Sequence, residues 1–229
     1  MRPLLILALL VVFLSACGDD RPSAATKTIS KPPATKAVPP TPTEEELLDD
    51  IRSEYELIAR EMQAAALTAD SIDYSCEEQF MDGRIMSFSS EGETRVIISS
   101  YAQGDHFGVT EYWYFRDEEP FFLLREYGGW SFGGPGETDE EGNEYPSSID
   151  DVTEQRYYIA GGKVIRQLEK SYQVKSWLDE NPAETAQNTE VATTGSIPVT
   201  YEWLQNSLRE GRVACASIPD REDVIGVIE

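Results

Sequence analysis

The sequence predicts an α+β fold: an antiparallel β-meander of about seven strands, an N-terminal amphipathic helix packed on it, and a short C-terminal helix. Three observations carry this. Leu47, Ile51, Tyr55, Ile58 and Met62 recur at spacings of three and four, the period of one helical face. From about residue 71 the rhythm changes to runs rich in Val, Ile, Tyr, Phe and Trp, broken by turn residues roughly every eight to twelve positions. Near the end of the chain, Trp203, Leu204 and Leu208 precede Gly211, the pattern of a short helix closed by glycine.

The chain opens with Arg2 followed by an apolar run from Leu4 to Leu14. A bilayer needs about twenty such residues, so this run is too short to span one and reads as the core of an export signal. It ends in Leu14-Ser15-Ala16-Cys17, which resembles the lipobox of bacterial lipoproteins. That resemblance implies that residues 1–16 are removed as a signal peptide and that the thiol of Cys17 carries the lipid, with palmitate-type acyl chains. The alternative is an ordinary secretory signal with an incidental cysteine. Two or three acyl chains anchor stably where one is marginal, at about 0.8 kcal/mol per buried methylene. Gly18 follows the cysteine, where an aspartate often marks retention at the inner membrane. By the same resemblance the expected address is the outer membrane, facing the periplasm.

Residues 17–42 read as the lipid-anchor cysteine and a disordered tether. Pro22, Pro32, Pro33, Pro39, Pro40 and Pro42 stand among Ala, Thr, Ser and Lys, with no apolar period to bury. At about 3.1 Å per residue in polyproline II, such a tether reaches roughly 80 Å. Residues 43–229 are expected to form a single acidic globular domain.

Thr43 is placed to cap the first helix, with Glu46 completing a capping box and Glu44 and Glu45 at the positive end of the dipole. The helix is expected to run to about Leu67. The strands expected after it are Tyr74–Met81, Arg84–Ser89, Thr94–Tyr101, His106–Phe115, Phe121–Tyr127, Glu154–Ala160 and Lys163–Tyr172. Asp82-Gly83 is the hairpin signal between the first two, and Gly161-Gly162 between the last two. Phe107, Val109, Trp113 and Phe115 share one face of their strand, and Tyr112 and Tyr114 take the other. An outward-facing set of Tyr112, Tyr114 and Tyr157 is therefore a candidate binding surface for a peptide or a glycan. Open sheet and closed barrel both remain compatible with the pattern.

Residues 128–151 read as an irregular loop with a dense acidic run. Within it Asp139, Glu141 and Asn143 are candidate oxygen ligands for a divalent cation, although the EF-hand spacing is not met. Gly129-Trp130-Ser131-Phe132-Gly133 matches the nucleophile-elbow pattern, but Gly134-Pro135-Gly136 cannot start the helix that elbow needs. The chain's single histidine, His106, precedes the serine rather than following it. No catalytic motif, phosphate loop or dinucleotide fingerprint occurs, and no cofactor is implied. Residues 179–196 are polar and read as a loop. Thr200 is expected to cap a helix over 201–210, Val213–Ile218 to return to the sheet, and the last residues to fray.

Cys76 and Cys215 remain once Cys17 is assigned to the anchor. In an oxidising compartment they are candidates for a disulfide, with two buried thiols as the alternative. Residues 43–229 hold 14 basic and 40 acidic residues, a balance of −26. Such a surface excludes nucleic acid as a partner and favours cationic ones. The expected function is a membrane-anchored envelope lipoprotein, a non-catalytic binding or scaffolding module for a periplasmic or surface partner. The alternatives are an envelope polymer-acting enzyme using paired carboxylates, and a divalent-cation-binding module.

Overall fold

The computed structural model describes residues 41–225. The export signal, Cys17 and most of the proline-rich stretch lie outside them. The element order is α1 (Glu44–Gln63), β1 (Thr68–Cys76), β2 (Met81–Ser90), β3 (Glu93–Gln103), β4 (Phe107–Arg116), β5 (Glu119–Phe132), β6 (Glu137–Thr138), β7 (Glu144–Tyr145), β8 (Ser148–Ala160), β9 (Lys163–Lys175), α2 (Pro182–Thr185), β10 (Thr189–Val191), α3 (Thr200–Glu210) and α4 (Arg221–Ile225). Eight strands form one antiparallel sheet in the order β1-β2-β3-β4-β5-β8-β9-β10, and β6 and β7 make a separate two-stranded ribbon. The sheet is open, with β1 and β10 at its edges. The α+β meander with an N-terminal helix and a short C-terminal helix is the fold of this chain.

The helix begins as its caps dictate. The Thr43 hydroxyl accepts from the Glu46 amide at 3.3 Å, and the Thr43 amide donates to the Glu46 carboxylate at 2.7 Å. It stops earlier than the apolar period suggests, because Ala65 adopts a left-handed φ of 52° and the chain turns directly into β1. Leu48, Ile51 and Ile58 are buried on one face of the sheet against Val96, Tyr114, Phe122 and Tyr158. Ion pairs fasten α1 along its length: Glu44 to Arg166 at 2.8 Å, Asp50 to Arg116 at 2.7 Å, and Glu54 to Arg95 at 2.8 Å.

The opposite face has its own core. Ile97, Trp113, Leu123, Tyr157 and Ile159 pack there against Trp203 and Leu204 of α3. Farther along that face, Tyr101 and Val109 pack against Val224 of α4, with Ile218 beside them. The Cys76–Cys215 disulfide pins this C-terminal segment to the end of β1, closing a sequence separation of 139 residues.

Several sequence expectations are corrected. Asp82-Gly83 is not a turn but lies inside β2; the chain turns at residues 77–80, where Phe80 takes a φ of 50°. Gly83 serves packing instead, because the ring of Tyr74 lies where its side chain would be. The 128–151 loop is shorter than expected, since β5 runs to Phe132 and β8 starts at Ser148. The stretch 179–196 adds α2 and the edge strand β10. Val213–Ile218 does not join the sheet but forms a single tight turn at Cys215–Ser217. The fraying expected of the last residues does not hold as far as Ile225, since Arg221–Ile225 is helical with Val224 only 2% exposed; residues 226–229 lie outside the described residues. Thr200 does not cap α3: Val199 stands at the N-cap position with no side-chain cap, and Thr200 is helical and spends its hydroxyl on Glu111.

Candidate binding cleft

The strand register sorts side chains into rows across the sheet, and on the α1 face the rows change character abruptly. Two adjacent rows are mainly apolar: Val96, Tyr114, Phe122 and Tyr158 in one, and Ile98, Tyr112 and Leu124 in the next, which continues to Arg156 on β8. α1 lies over them. The third row reads Asp73, Arg84, Ser100, Thr110, Glu126, Glu154 and Lys170 from β1 to β9. The fourth reads Ser75, Asp82, Ala102, Gly108, Gly128 and Val152. Ser100 and Thr110 in the third row, and Ala102, Gly108 and Gly128 in the fourth, leave the centre of this surface low between taller flanks.

The result is a shallow, widely open cleft of about 730 Å³. Its place in the fold is defined by what covers everything else. α1 covers one half of this face, α3 one half of the other, and the disulfide-pinned C-terminal segment the remaining half of that other face. The fourth quadrant holds the cleft.

One end of the cleft is aromatic. The rings of His106 and Trp130 sit 4.1 Å apart, and Phe132 stands edge-on to Trp130 at 5.0 Å. Trp130 is held in place by two hydrogen bonds: its amide donates to the His106 carbonyl at 3.2 Å, and its indole N–H to the Asp105 carbonyl at 3.0 Å. Alternation along β5 places Trp130 and Phe132 on the same face as Glu126, and both remain partly exposed, at 37% and 64%.

The walls are acidic. Asp73 is neutralised by Arg84. Among the described residues, Asp82, Glu126 and Asp150 form no ion pair, and Asp150 is the register partner of Trp130. The cations nearest Glu126 are engaged elsewhere. Lys170 pairs with Glu154 at 3.3 Å and donates to the Ala183 carbonyl at 2.7 Å, and Arg156 also pairs with Glu154. Partial burial, then the charge of Glu154, pushes the Glu126 carboxyl above its ordinary value.

The tyrosine set expected from sequence does not come together. Tyr114 is buried under α1 beside Tyr55, and Tyr112 is half-buried in the next row. Tyr157 belongs to the opposite face, buried beneath α3 with its hydroxyl donating to Gln155 at 2.7 Å. Both faces of the sheet are covered there, so strand alternation alone could not mark these rings as outward. Asp139 is occupied as a turn cap: its carboxylate accepts from the amides of Glu141 and Asn143 and from the Asn143 side chain at 2.8–3.0 Å. Among the described residues no group of three or more His, Cys, Asp or Glu side chains is arranged to hold a metal. Ser131 lies within β5, paired in register with Ile149, and not at an elbow.

The aromatic end and the low rows lie outside the sites that the sequence predicts. Their signal is present in β3 and β4, where each strand carries large apolar residues at one end and Ser, Ala, Gly or Thr at the same-face positions of the other. The comparisons add no relative: no family model, no curated protein and no solved structure matches this chain.

Proposed function

We propose that this chain is a lipid-anchored envelope protein that holds a ligand in the cleft between Asp73 and Trp130, without catalysing its conversion. The carrying observation is the uncovered quadrant. The chain closes three half-faces of its sheet with its own helices, and lines the fourth with small residues, unpaired carboxylates and an immobilised indole. Anchoring through Cys17 rests on the lipobox resemblance, and outer-membrane placement facing the periplasm on Gly18. Among the described residues no helix is long and apolar enough to cross a membrane. The partner in this reading is a periplasmic or surface component reached on the proline-rich tether.

Two measurements test it together. Cys17→Ala is expected to move the protein from the membrane to the soluble fraction; a variant that stays membrane-bound overturns the anchor. A photo-crosslinking residue at Thr110, in the cleft, is expected to capture a component in intact cells that the same residue at Glu202, on α3, does not. Equal capture from both positions overturns the cleft as the binding site.

One observation favours a second reading. Glu126 is a carboxyl held protonated to higher pH than usual inside a cleft, the property of a general acid acting on an envelope polymer. That reading requires turnover of a glycan by the purified protein, abolished in Glu126→Gln.

A further inference from the structure

The cleft's chemistry names a ligand class. Resting on the reading of the cleft as a binding site, we infer that its occupant is an extended basic peptide segment. Charge decides this against a neutral glycan. Among the described residues, the wall carboxylates Asp82, Glu126 and Asp150 form no ion pair and all carry the same sign. The wall's one arginine, Arg84, is already spent on Asp73. A neutral ligand would leave these carboxylates uncompensated as it displaced their water, whereas lysine or arginine side chains pair with them. The net charge of −23 on the whole chain steers such a ligand toward the protein, and the cleft then gives it a register.

Dimensions favour a peptide over a small amine. The cleft crosses from β1 to β8, five strand spacings. At about 4.8 Å each that is roughly 24 Å, the length of about seven extended residues at 3.3 Å per residue. The acceptors are spread along this path rather than gathered at one point. Asp82 is on β2, Glu126 on β5 and Asp150 on β8, so two or three separate basic side chains are required. Trp130, the register partner of Asp150, stays 37% exposed, and arginine and lysine side chains stack on tryptophan.

The test uses the full chain purified in detergent and fluorescein-labelled hexalysine, read by fluorescence polarisation. A highly acidic protein attracts any polycation, so the control is charge-matched. Asp82→Asn/Asp150→Asn removes two charges from the cleft, and Glu202→Gln/Glu210→Gln removes two from α3 on the opposite face. The cleft pair is expected to weaken binding about three- to tenfold and the α3 pair by less than about twofold. Trp130→Ala is expected to weaken it by a similar three- to tenfold. Circular dichroism and urea midpoints equal to wild type establish that each variant is folded. If both charge pairs reduce binding equally, attraction is diffuse and the basic-peptide inference is overturned. If an uncharged N-acetylglucosamine oligosaccharide binds in a Trp130-dependent way while hexalysine shows no cleft dependence, the inference is overturned but the cleft stands as a binding site. If neither ligand binds, and photo-crosslinking at Thr110 captures nothing, both readings fall.

Discussion

The guanidinium of Arg125 and the carboxylate of Glu111 lie 2.7 Å apart in the interior, with side chains only 2% and 3% exposed. They face each other across β5 and β4, beneath α3. The pair is also a junction. Glu111 accepts from the Trp113 indole at 3.0 Å and from the Thr200 hydroxyl at 2.9 Å, and Arg125 donates to Tyr157 at 3.1 Å and to the carbonyl of Val224. Sheet, α3 and C-terminal helix meet at two side chains. Removing one partner strands a buried charge, so Arg125→Met or Glu111→Leu alone is expected to cost about 3–5 kcal/mol in urea unfolding. The double replacement is expected to recover most of that loss, because no charge is then left unpaired. A double variant as unstable as either single one would show that the network, not the stranded charge, sets the cost.

The Cys76–Cys215 bond fastens the same C-terminal segment from its other side. Closing a 139-residue separation is worth about 4–5 kcal/mol in the chain-entropy model. Dithiothreitol, or Cys76→Ser with Cys215→Ser, is therefore expected to lower the urea midpoint strongly. Hydrogen exchange should rise first around Val224 and Tyr101, which pack together beneath the bond, and last in α1 on the opposite face. Uniform acceleration would show that the C-terminal segment does not open separately from the sheet.

How far this fold could be read in advance follows from where its information sits. α1 was legible because its cap and stripe are local: Thr43, Glu46, Ile51 and Ile58 do what their spacing says. The β1–β2 turn was not. Asp82-Gly83 carries a strong turn signal, but Met81 and Ile85 are buried and Tyr74 lies across Gly83, so the ladder runs through it. The turn fell instead at Glu77–Phe80, which has no glycine, proline or asparagine. Tyr112, Tyr114 and Tyr157 show the same limit from another side. Their alternation is visible in the sequence, but whether a face is wet depends on where α1 and α3 land. The cleft is the hardest case. Asp73, Asp82, Gly108, Glu126 and Trp130 are scattered over four strands and become neighbours only once the register is fixed.

Glu126 gives the site a pH signature. Its folded proton affinity is raised above the ordinary 4.5, first by burial and then by Glu154, with Lys170 and Arg156 pulling the other way. The fold therefore holds this proton more tightly than the unfolded chain does. Its contribution turns unfavourable as pH rises from about 4.5 through the raised value, and is absent below 4.5. Glu126→Gln is expected to stabilise the protein at neutral pH by up to about 1 kcal/mol, discounted for its partial exposure, with no gain at pH 4. Binding carries the opposite sign, because the ionised form attracts a cation. Hexalysine affinity should fall as pH is lowered through the raised value, and Glu126→Gln should remove that step from the pH profile. An unchanged profile in the variant would place the titrating group elsewhere.

Two glycines that are register partners separate the cleft's openness from its framework. Gly108 on β4 and Gly128 on β5 are directly paired, yet a side chain meets different surroundings at each. At Gly108 a β-carbon would find only the Tyr101 carbonyl, at 3.7 Å, and otherwise open space above the sheet. At Gly128 it would run into the carbonyl of Asp151 on the neighbouring strand. Gly108→Val puts a residue suited to strands at a position that costs roughly 0.5–1 kcal/mol as glycine, so stability should hold or rise. The same side chain occupies the cleft floor, and ligand binding should fall at least about tenfold. Gly128→Ala, chemically the smaller change, should lower the thermal midpoint because backbone must move to admit it. Calorimetric unfolding and hexalysine polarisation on the two variants check this directly. Full binding by a stably folded Gly108→Val protein would mean that the ligand does not enter the low rows between Asp82 and Gly128.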